Sequence, residues 1–272
     1  TDMFSKIAMN LEKEKYMITS TSNAQVKALS KLIKNARARR QQQVYIVEGI
    51  RMFRETPEER IEKIYASESF AKEHEVLLEG KDWEMLSDAV FASVSDTKTP
   101  QGVLCLVKMS ENRLEDMLQQ KNGLWLILEN VQDPGNLGTM FRTGEGAGIA
   151  GVIMDRSTVD IYNPKTIRST MGSIFRVPFF VTEDLHETIR QLQNAQISVY
   201  AAHLEGSVCY DTPDYTKGTA FLIGNEGNGL TKETAALADT YIRIPMGGQL
   251  ESLNAAMAAG ILMYEANRQR RV

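Results

Sequence analysis

Two loops rich in glycine and asparagine, each following an apolar run, constrain this chain more than any other feature. Gly224-Asn225-Glu226-Gly227-Asn228-Gly229-Leu230 comes straight after Leu222-Ile223. The second loop lies in Ile244-Pro245-Met246-Gly247-Gly248-Gln249-Leu250-Glu251-Ser252-Leu253-Asn254-Ala255-Ala256-Met257-Ala258-Ala259-Gly260. There an apolar strand ends at Pro245, a Gly-Gly loop follows, and a helix is predicted over Glu251–Arg268 with Ser252 and Asn254 at its mouth. Small side chains along that helix let another backbone come close, and the N–H donors of a helix start suit a polar ligand. Two such loops predict one pocket at the ends of neighbouring strands.

Length permits this architecture and a second one beside it. A chain of 272 residues supports two domains and a sizeable core. Its 43% hydrophobic and 24% charged content excludes a disordered or fibrous class. No apolar run reaches the roughly 18 residues of a membrane span, so none is expected. Cys105 and Cys209 fit no metal or redox spacing and read as buried, reduced thiols of a cytoplasmic protein. His74, His186 and His203 stand singly, so neither a metal site nor a Ser-His triad is expected.

Charge is unevenly spread. The net charge is −4, yet Lys15–Val47 contains seven cations and no Asp or Glu. Within it, Lys34, Arg37, Arg39 and Arg40 are either a solvated helix face or a phosphate-facing surface.

Residues 1–16 read as a leader, appended or frayed, because Thr1 is not a natural start and Met17 could be one. A helix is predicted from Ser22, as cap, to about Gln43, with Val26, Leu29 and Ile33 at apolar spacing. Strands are predicted at Val44–Val47, Ile61–Ala66 and Gly102–Val107, which gives a small α/β domain over 17–110. A linker over 111–121 precedes a second domain over 122–272. Its five predicted strands are Leu124–Leu128, Gly151–Met154, Ile197–Ala202, Ala220–Ile223 and Tyr241–Ile244. Alternation with helices implies a mostly parallel sheet covered on both faces. Gly146-Ala147-Gly148-Ile149-Ala150-Gly151 matches a dinucleotide fingerprint in letters only. It lies between a helix and the strand that follows, the reverse of the required order, so it reads as a helix C-cap.

A third segment, Asn130-Val131-Gln132-Asp133-Pro134-Gly135-Asn136-Leu137-Gly138-Thr139-Met140-Phe141-Arg142-Thr143, completes a set with the two loops. In this order and spacing the three closely resemble the motifs of the SpoU (TrmH) RNA ribose 2′-O-methyltransferases of the SPOUT class. Tyr45-Ile46-Val47-Glu48-Gly49 and Thr99-Pro100-Gln101-Gly102-Val103-Leu104 resemble the substrate-binding domain of such enzymes, itself similar to a ribosomal RNA-binding protein.

The resemblance implies a trefoil-knotted catalytic domain, a homodimer, and S-adenosylmethionine held by Leu222, Gly224, Asn225, Ile244, Met246 and Leu253. It assigns the reaction to Arg142, Asn136, Glu226, Ser252 and Asn254, with no metal and no membrane. Ribosomal RNA, of the large subunit, is favoured over tRNA as substrate; a tRNA methyltransferase or a non-catalytic RNA-binding or ribosome-assembly protein are the alternatives. A guanidinium stays charged, so the expected role of Arg142 is to clamp phosphate and stabilise alkoxide charge. Glu226 is either the conventional base or a group that orients Asn136. Asn136 is also expected to cap its helix, and Ser252 can be read as a cap.

Overall fold

The computed structural model describes residues 17–204 and 208–271; the leader expected over residues 1–16 lies outside them. The chain divides into two compact units. One runs to Ser110 and includes Tyr162–Arg168; the other comprises Glu111–Ile161 and the chain from Ser169.

The first unit holds strands β1 (Val44–Glu48), β2 (Ile61–Ser67), β3 (Trp83–Leu86) and β4 (Val103–Lys108) in the order β1-β4-β2-β3. β4 pairs antiparallel with β1 and β2, and β3 pairs parallel with β2. Its helices are α1 (Ala24–Lys34), α2 (Ala36–Gln42), α3 (Ile50–Glu55), α4 (Glu68–Glu73), α5 (Glu75–Leu78) and α6 (Asp88–Val94). The single helix expected from Ser22 is two helices, capped by Asn23 rather than Ser22. Asn35 breaks it: its backbone is extended at φ −127, and its side chain accepts from the Ala38 amide at 3.1 Å. An asparagine competes in this way with the helical backbone. Val26, Leu29, Leu32 and Ile33 bury one face of α1 in the core with Leu86, Phe91 and Leu104.

Glu48 and Gly49 close β1 against the segment before β4. The buried Glu48 carboxylate accepts from the Thr97 hydroxyl at 3.0 Å and the Asp96 amide at 3.2 Å, and from the Ser95 hydroxyl. Gln101 Oε1 accepts from the Ile50 amide at 3.0 Å. The Gly49 amide donates to the Val103 carbonyl at 2.9 Å, so the two segments that carry the N-terminal resemblance bind one another.

The second unit is a seven-stranded, wholly parallel sheet. Its strands are β5 (Leu124–Leu128), β6 (Gly151–Asp155), β7 (Phe179–Thr182), β8 (Ser198–Ala202), β9 (Val208–Cys209), β10 (Thr219–Ile223) and β11 (Thr240–Arg243), in the order β7-β6-β5-β10-β8-β11-β9. Two of the seven, β7 and β9, are edge strands too short or too polar to stand out by periodicity. The helices are α7 (Leu114–Met117), α8 (Pro134–Ala147), α9 (Pro164–Thr170), which straddles the two units, α10 (Leu185–Asn194), α11 (Lys232–Ala235) and α12 (Ala255–Arg270). Every residue of β5 and β10 is buried, as a central parallel strand requires. Trp125, Ile127, Val199, Ala220 and Leu222 face α10 through Leu185, Ile189 and Leu192. On the opposite face, α12 packs on β5, β10 and α8.

Gly148 ends α8 in the left-handed region, φ 74, so the glycine cluster is the helix stop its position predicts. Cys105 is buried, and desolvation pushes its thiol up to about 12. Cys209 is only half-buried, contrary to expectation, because β9 is the sheet edge.

Candidate active site at the carboxyl edge of the sheet

The sheet reverses its direction of growth between β5 and β10: β6 and β7 extend it one way, β8, β11 and β9 the other. In open α/β sheets ligands bind beyond the carboxyl ends of strands at such a switch point. The first two motifs leave β5 and β10 there, and the third leaves β11.

Each loop is locked by its own sequence. Asn130 turns the chain at φ 55, and its amide donates to Asp155 Oδ1 at 3.0 Å. Asp155 also accepts from the Thr158 amide at 2.9 Å and hydroxyl at 2.7 Å. Asp133, not Asn136, caps α8, accepting from the Asn136 amide at 2.8 Å. Pro134 occupies the first helical turn, so Asn136 stands three residues inside and keeps its side chain for other partners. In the second loop Asn225 exchanges backbone bonds with Gly229 at 3.0 and 2.9 Å. Its Oδ1 accepts from the Gly227 and Asn228 amides, and its Nδ2 donates to the Asn130 carbonyl at 2.9 Å. A Cβ at Gly224 would fall on the backbone of Gly229 and Leu230, so only glycine fits that close approach.

A single polar chain then joins the three motifs. The Glu226 carboxylate accepts from the Gln132 and Asp133 amides at 3.0 Å each and from Asn136 Nδ2 at 3.1 Å. Asn136 Oδ1 accepts from Asn254 Nδ2 at 3.0 Å. Asn254 Oδ1 accepts from the Ala256 and Met257 amides at 2.9 and 3.2 Å, which makes Asn254 the cap of α12. The helix therefore begins at Ala255 rather than Glu251, and Ser252 is an exposed loop residue that does not cap. Burial alone raises the Glu226 carboxyl, but the Gln132 and Asp133 amides and Asn136 outweigh it and hold it below the ordinary carboxylate value. A depressed, donor-saturated carboxylate is a weak base and a strong organiser.

Arg142 is brought into none of these bonds. It lies six residues beyond Asn136 on α8, about 9 Å along the axis. It is exposed and, among the described residues, forms no hydrogen bond or ion pair. Thr139, Arg142 and Gly146 form the exposed stripe of α8.

Several expected binders act differently. The side chain of Leu222 is fully buried in the core facing α10, and the side chain of Asn225 is spent on closing the loops. Gly224 lies at the base of the second loop, and Ile244, Met246 and Leu253 stand half-buried along the third motif. Arg39 is buried, 3% exposed, and donates to the Leu32 and Ile33 carbonyls at 2.6 and 3.0 Å, so it caps the end of α1 and cannot face RNA. Lys27, Lys31, Lys34, Arg37 and Arg40 are exposed and form no ion pair among the described residues. Arg168 pairs with Asp96 at 2.9 Å and Arg176 with Glu145.

Sequence reasoning missed Glu129. Buried at the end of β5, it accepts from the Thr231 amide and hydroxyl at 2.8 Å each and from the Thr234 hydroxyl. It fastens the far end of the second loop to the strand from which the first loop leaves. An acidic residue ending a wholly apolar strand was the available signal. Among the described residues no group of His, Cys, Asp and Glu could hold a metal ion, and no helix is long and apolar enough to cross a membrane.

A parallel sheet with three interlocked loops at its switch point defines an α/β protein with a ligand site at the carboxyl edge. The SpoU rRNA methylase family matches residues 123–264, and an MRM3-like substrate-binding domain matches residues 23–105. The 23S rRNA (guanosine(2553)-2′-O)-methyltransferase RlmP of Bacillus subtilis is 37% identical over 180 residues, covering 66% of this chain and 70% of that protein. The 23S rRNA (uridine(2479)-2′-O)-methyltransferase of Streptomyces viridochromogenes is 31% identical over 191 residues, 68% of this chain and 67% of that protein. Among solved structures, AviRb from Streptomyces viridochromogenes in complex with AdoMet superposes with a TM-score of 0.84 at 26% identity, covering 91% of this chain and 98% of that one. The AdoMet-bound rRNA methyltransferase from Sinorhizobium meliloti gives 0.82 at 31% identity, covering 93% and 97%. The chain belongs to the SpoU rRNA methylase family of SPOUT methyltransferases.

Proposed function

We propose that this protein methylates a ribose 2′-hydroxyl of RNA with S-adenosylmethionine as donor, and that its substrate is large-subunit ribosomal RNA. The observation that carries the reading is the Glu226–Asn136–Asn254 chain, which ties all three family motifs together at the switch point. The names of the relatives support the substrate. We take residues 17–110 as the substrate-binding part, 111–121 as linker and 122–272 as the catalytic part, in a cytoplasmic protein.

The residues present fit the donor. Gly224 lets the second loop fold tightly back on itself, and the half-buried Ile244, Met246 and Leu253 offer apolar contact with backbone groups beside it. S-adenosylmethionine supplies an electrophilic methyl carbon on a sulfonium. The protein's work is alignment and charge. Arg142, exposed and without a partner among the described residues, clamps a phosphate oxygen and stabilises negative charge growing on the ribose oxygen. Asn136 positions the ribose, and Glu226 holds Asn136 rather than taking the proton. Ser252 is a hydroxyl beside the cap of α12, available to the ribose. The hydroxyl proton leaves as the oxygen–methyl bond forms and passes to a phosphate oxygen or to water.

RNA docking falls to α1 and α2. Lys27, Lys31 and Lys34 recur at i, i+4 and i+7 on α1, and Arg37 and Arg40 are exposed on α2. We also propose a homodimer. Its support is an apolar stripe on α12, with Met257 59% and Tyr264 47% exposed and Ile261 half-buried between them. The trefoil threading belongs to the same proposal, supported by the insertion of β10 between β5 and β8.

The test is transfer of labelled methyl from S-adenosylmethionine to ribosomal RNA and, separately, tRNA from cells lacking the gene, with Arg142→Ala as control. Label in ribosomal RNA alone, lost in the variant, is expected. Label in tRNA alone overturns the substrate; label in neither overturns the activity on naked RNA.

A further inference from the structure

The first unit carries an open cavity of about 500 Å³ that the methyl-transfer reading does not use. The second segment of the N-terminal resemblance lines it, as does Ile50, the residue after the first segment. Ile50, Gln101 and Gly102 line it, together with Phe70, His74 and Asp88. Two positive-φ glycines, Gly49 at 102 and Gly102 at 83, set its backbone. A Cβ on Gly102 would lie 2.7 Å from Phe70 Cβ, and one on Gly49 would lie 2.9 Å from Gln101 Oε1.

The chemistry of the walls is selective. The His74 ring packs against the buried Phe70 ring, with centroids 4.6 Å apart and planes tilted by 50°, and remains half-buried, which leaves it a partly open aromatic surface. Asp88 is exposed but fixed: its oxygens accept from the Ser69 amide at 3.1 Å and hydroxyl at 2.6 Å. Those bonds hold its carboxyl below the ordinary aspartate value, so it is an acceptor at neutral pH. Gln101 spends Oε1 on Ile50, and among the described residues its Nε2 makes no hydrogen bond. Glu73 adds a second acid, and no Lys or Arg lines the cavity, so a phosphate is excluded from its interior.

We propose that this cavity binds an unstacked guanine of single-stranded RNA. RNA sequence is read chiefly on splayed bases that stack on aromatic rings and offer their edges to polar side chains. Guanine fits this set best: its adjacent N1–H and N2–H₂ donors match one carboxylate, and its O6 matches the free amide of Gln101. Adenine and cytosine each present only one such donor group, and uracil offers no amino group. The site would thus lend base selectivity to a unit whose α1 and α2 cations see only backbone charge. The inference rests on the RNA-binding reading.

The experiment is equilibrium binding of the full chain to fluorescent seven-nucleotide RNAs, oligouridine with one central G, inosine, A or U. The G oligomer should bind at least about tenfold more tightly than the U oligomer. Inosine, which lacks the N2 amine, should fall between them. Asp88→Asn should abolish the preference for G over U, and His74→Ala should weaken binding of every oligomer with the order kept. Equal binding of the four oligomers, or a preference intact in Asp88→Asn, would overturn this inference alone. No binding of any oligomer would overturn it together with the RNA-docking reading.

Discussion

At the scale of single residues, Asn254 does two jobs that substitutions separate. Its Oδ1 caps α12 and its Nδ2 reaches Asn136. Asn254→Ala should cost about 1 kcal/mol in urea unfolding, the usual loss for a cap. Asn254→Asp keeps the cap and loses the donor, so it should unfold like wild type while kcat falls. Glu226 differs because its role is held by charge. A carboxyl held lower in the folded chain than in the unfolded one contributes stability above its unfolded pKa, lost as pH falls through the folded value. Glu226→Gln should therefore shed part of the acid-unfolding transition. It should slow methyl transfer without changing the shape of the rate profile between about pH 6 and 9, since the wild-type carboxylate is already ionised there. A limb that disappears in the variant would restore Glu226 as base. At Glu129, Ala would strand the Thr231 and Thr234 donors, with an expected loss of about 1–3 kcal/mol in urea unfolding.

At the scale of elements, α1 and α2 show how one charge run divides into two roles. Arg39 faces inward to the Leu32 and Ile33 carbonyls because Asn35 breaks the helix and turns α2 back over the end of α1. Lys31→Glu or Lys34→Glu should weaken RNA binding and reduce its salt slope by about one per removed cation, read by filter binding across salt concentrations. Arg39→Ala should leave that slope alone and lower the unfolding midpoint. Composition placed seven cations in the segment, but only the break at Asn35 decides which of them reach solvent. The same holds for the loops. Gly-Asn chemistry after a strand was legible, whereas the engagement of Asn225 with Asn130, 95 positions away, depends on β5 and β10 lying side by side.

At the scale of the whole molecule, the proposed homodimer makes the α12 stripe testable. Ile261→Asp with Tyr264→Arg should give a monomer in sedimentation velocity, with methyl transfer lost and the fold retained; a dimer unaffected by both changes would move the interface elsewhere. The parallel α/β class, the order of the three motifs and the helix stop at Gly148 are legible in the sequence, because these rest on local periodicity, turn chemistry and the backbone freedom of glycine. The sequence left β7 and β9 unread because short edge strands bury too little to imprint a pattern. Only the tertiary structure decided that Asp133 and Asn254 are the caps, that Glu226 is saturated by donors rather than free as a base, and that Glu129 clamps the second loop. The caps are local bonds for which neighbouring residues competed on equal terms, whereas the Glu226 and Glu129 contacts depend on strand order, which brings together residues about a hundred positions apart, and no local signal encodes which acceptor a distant amide will find.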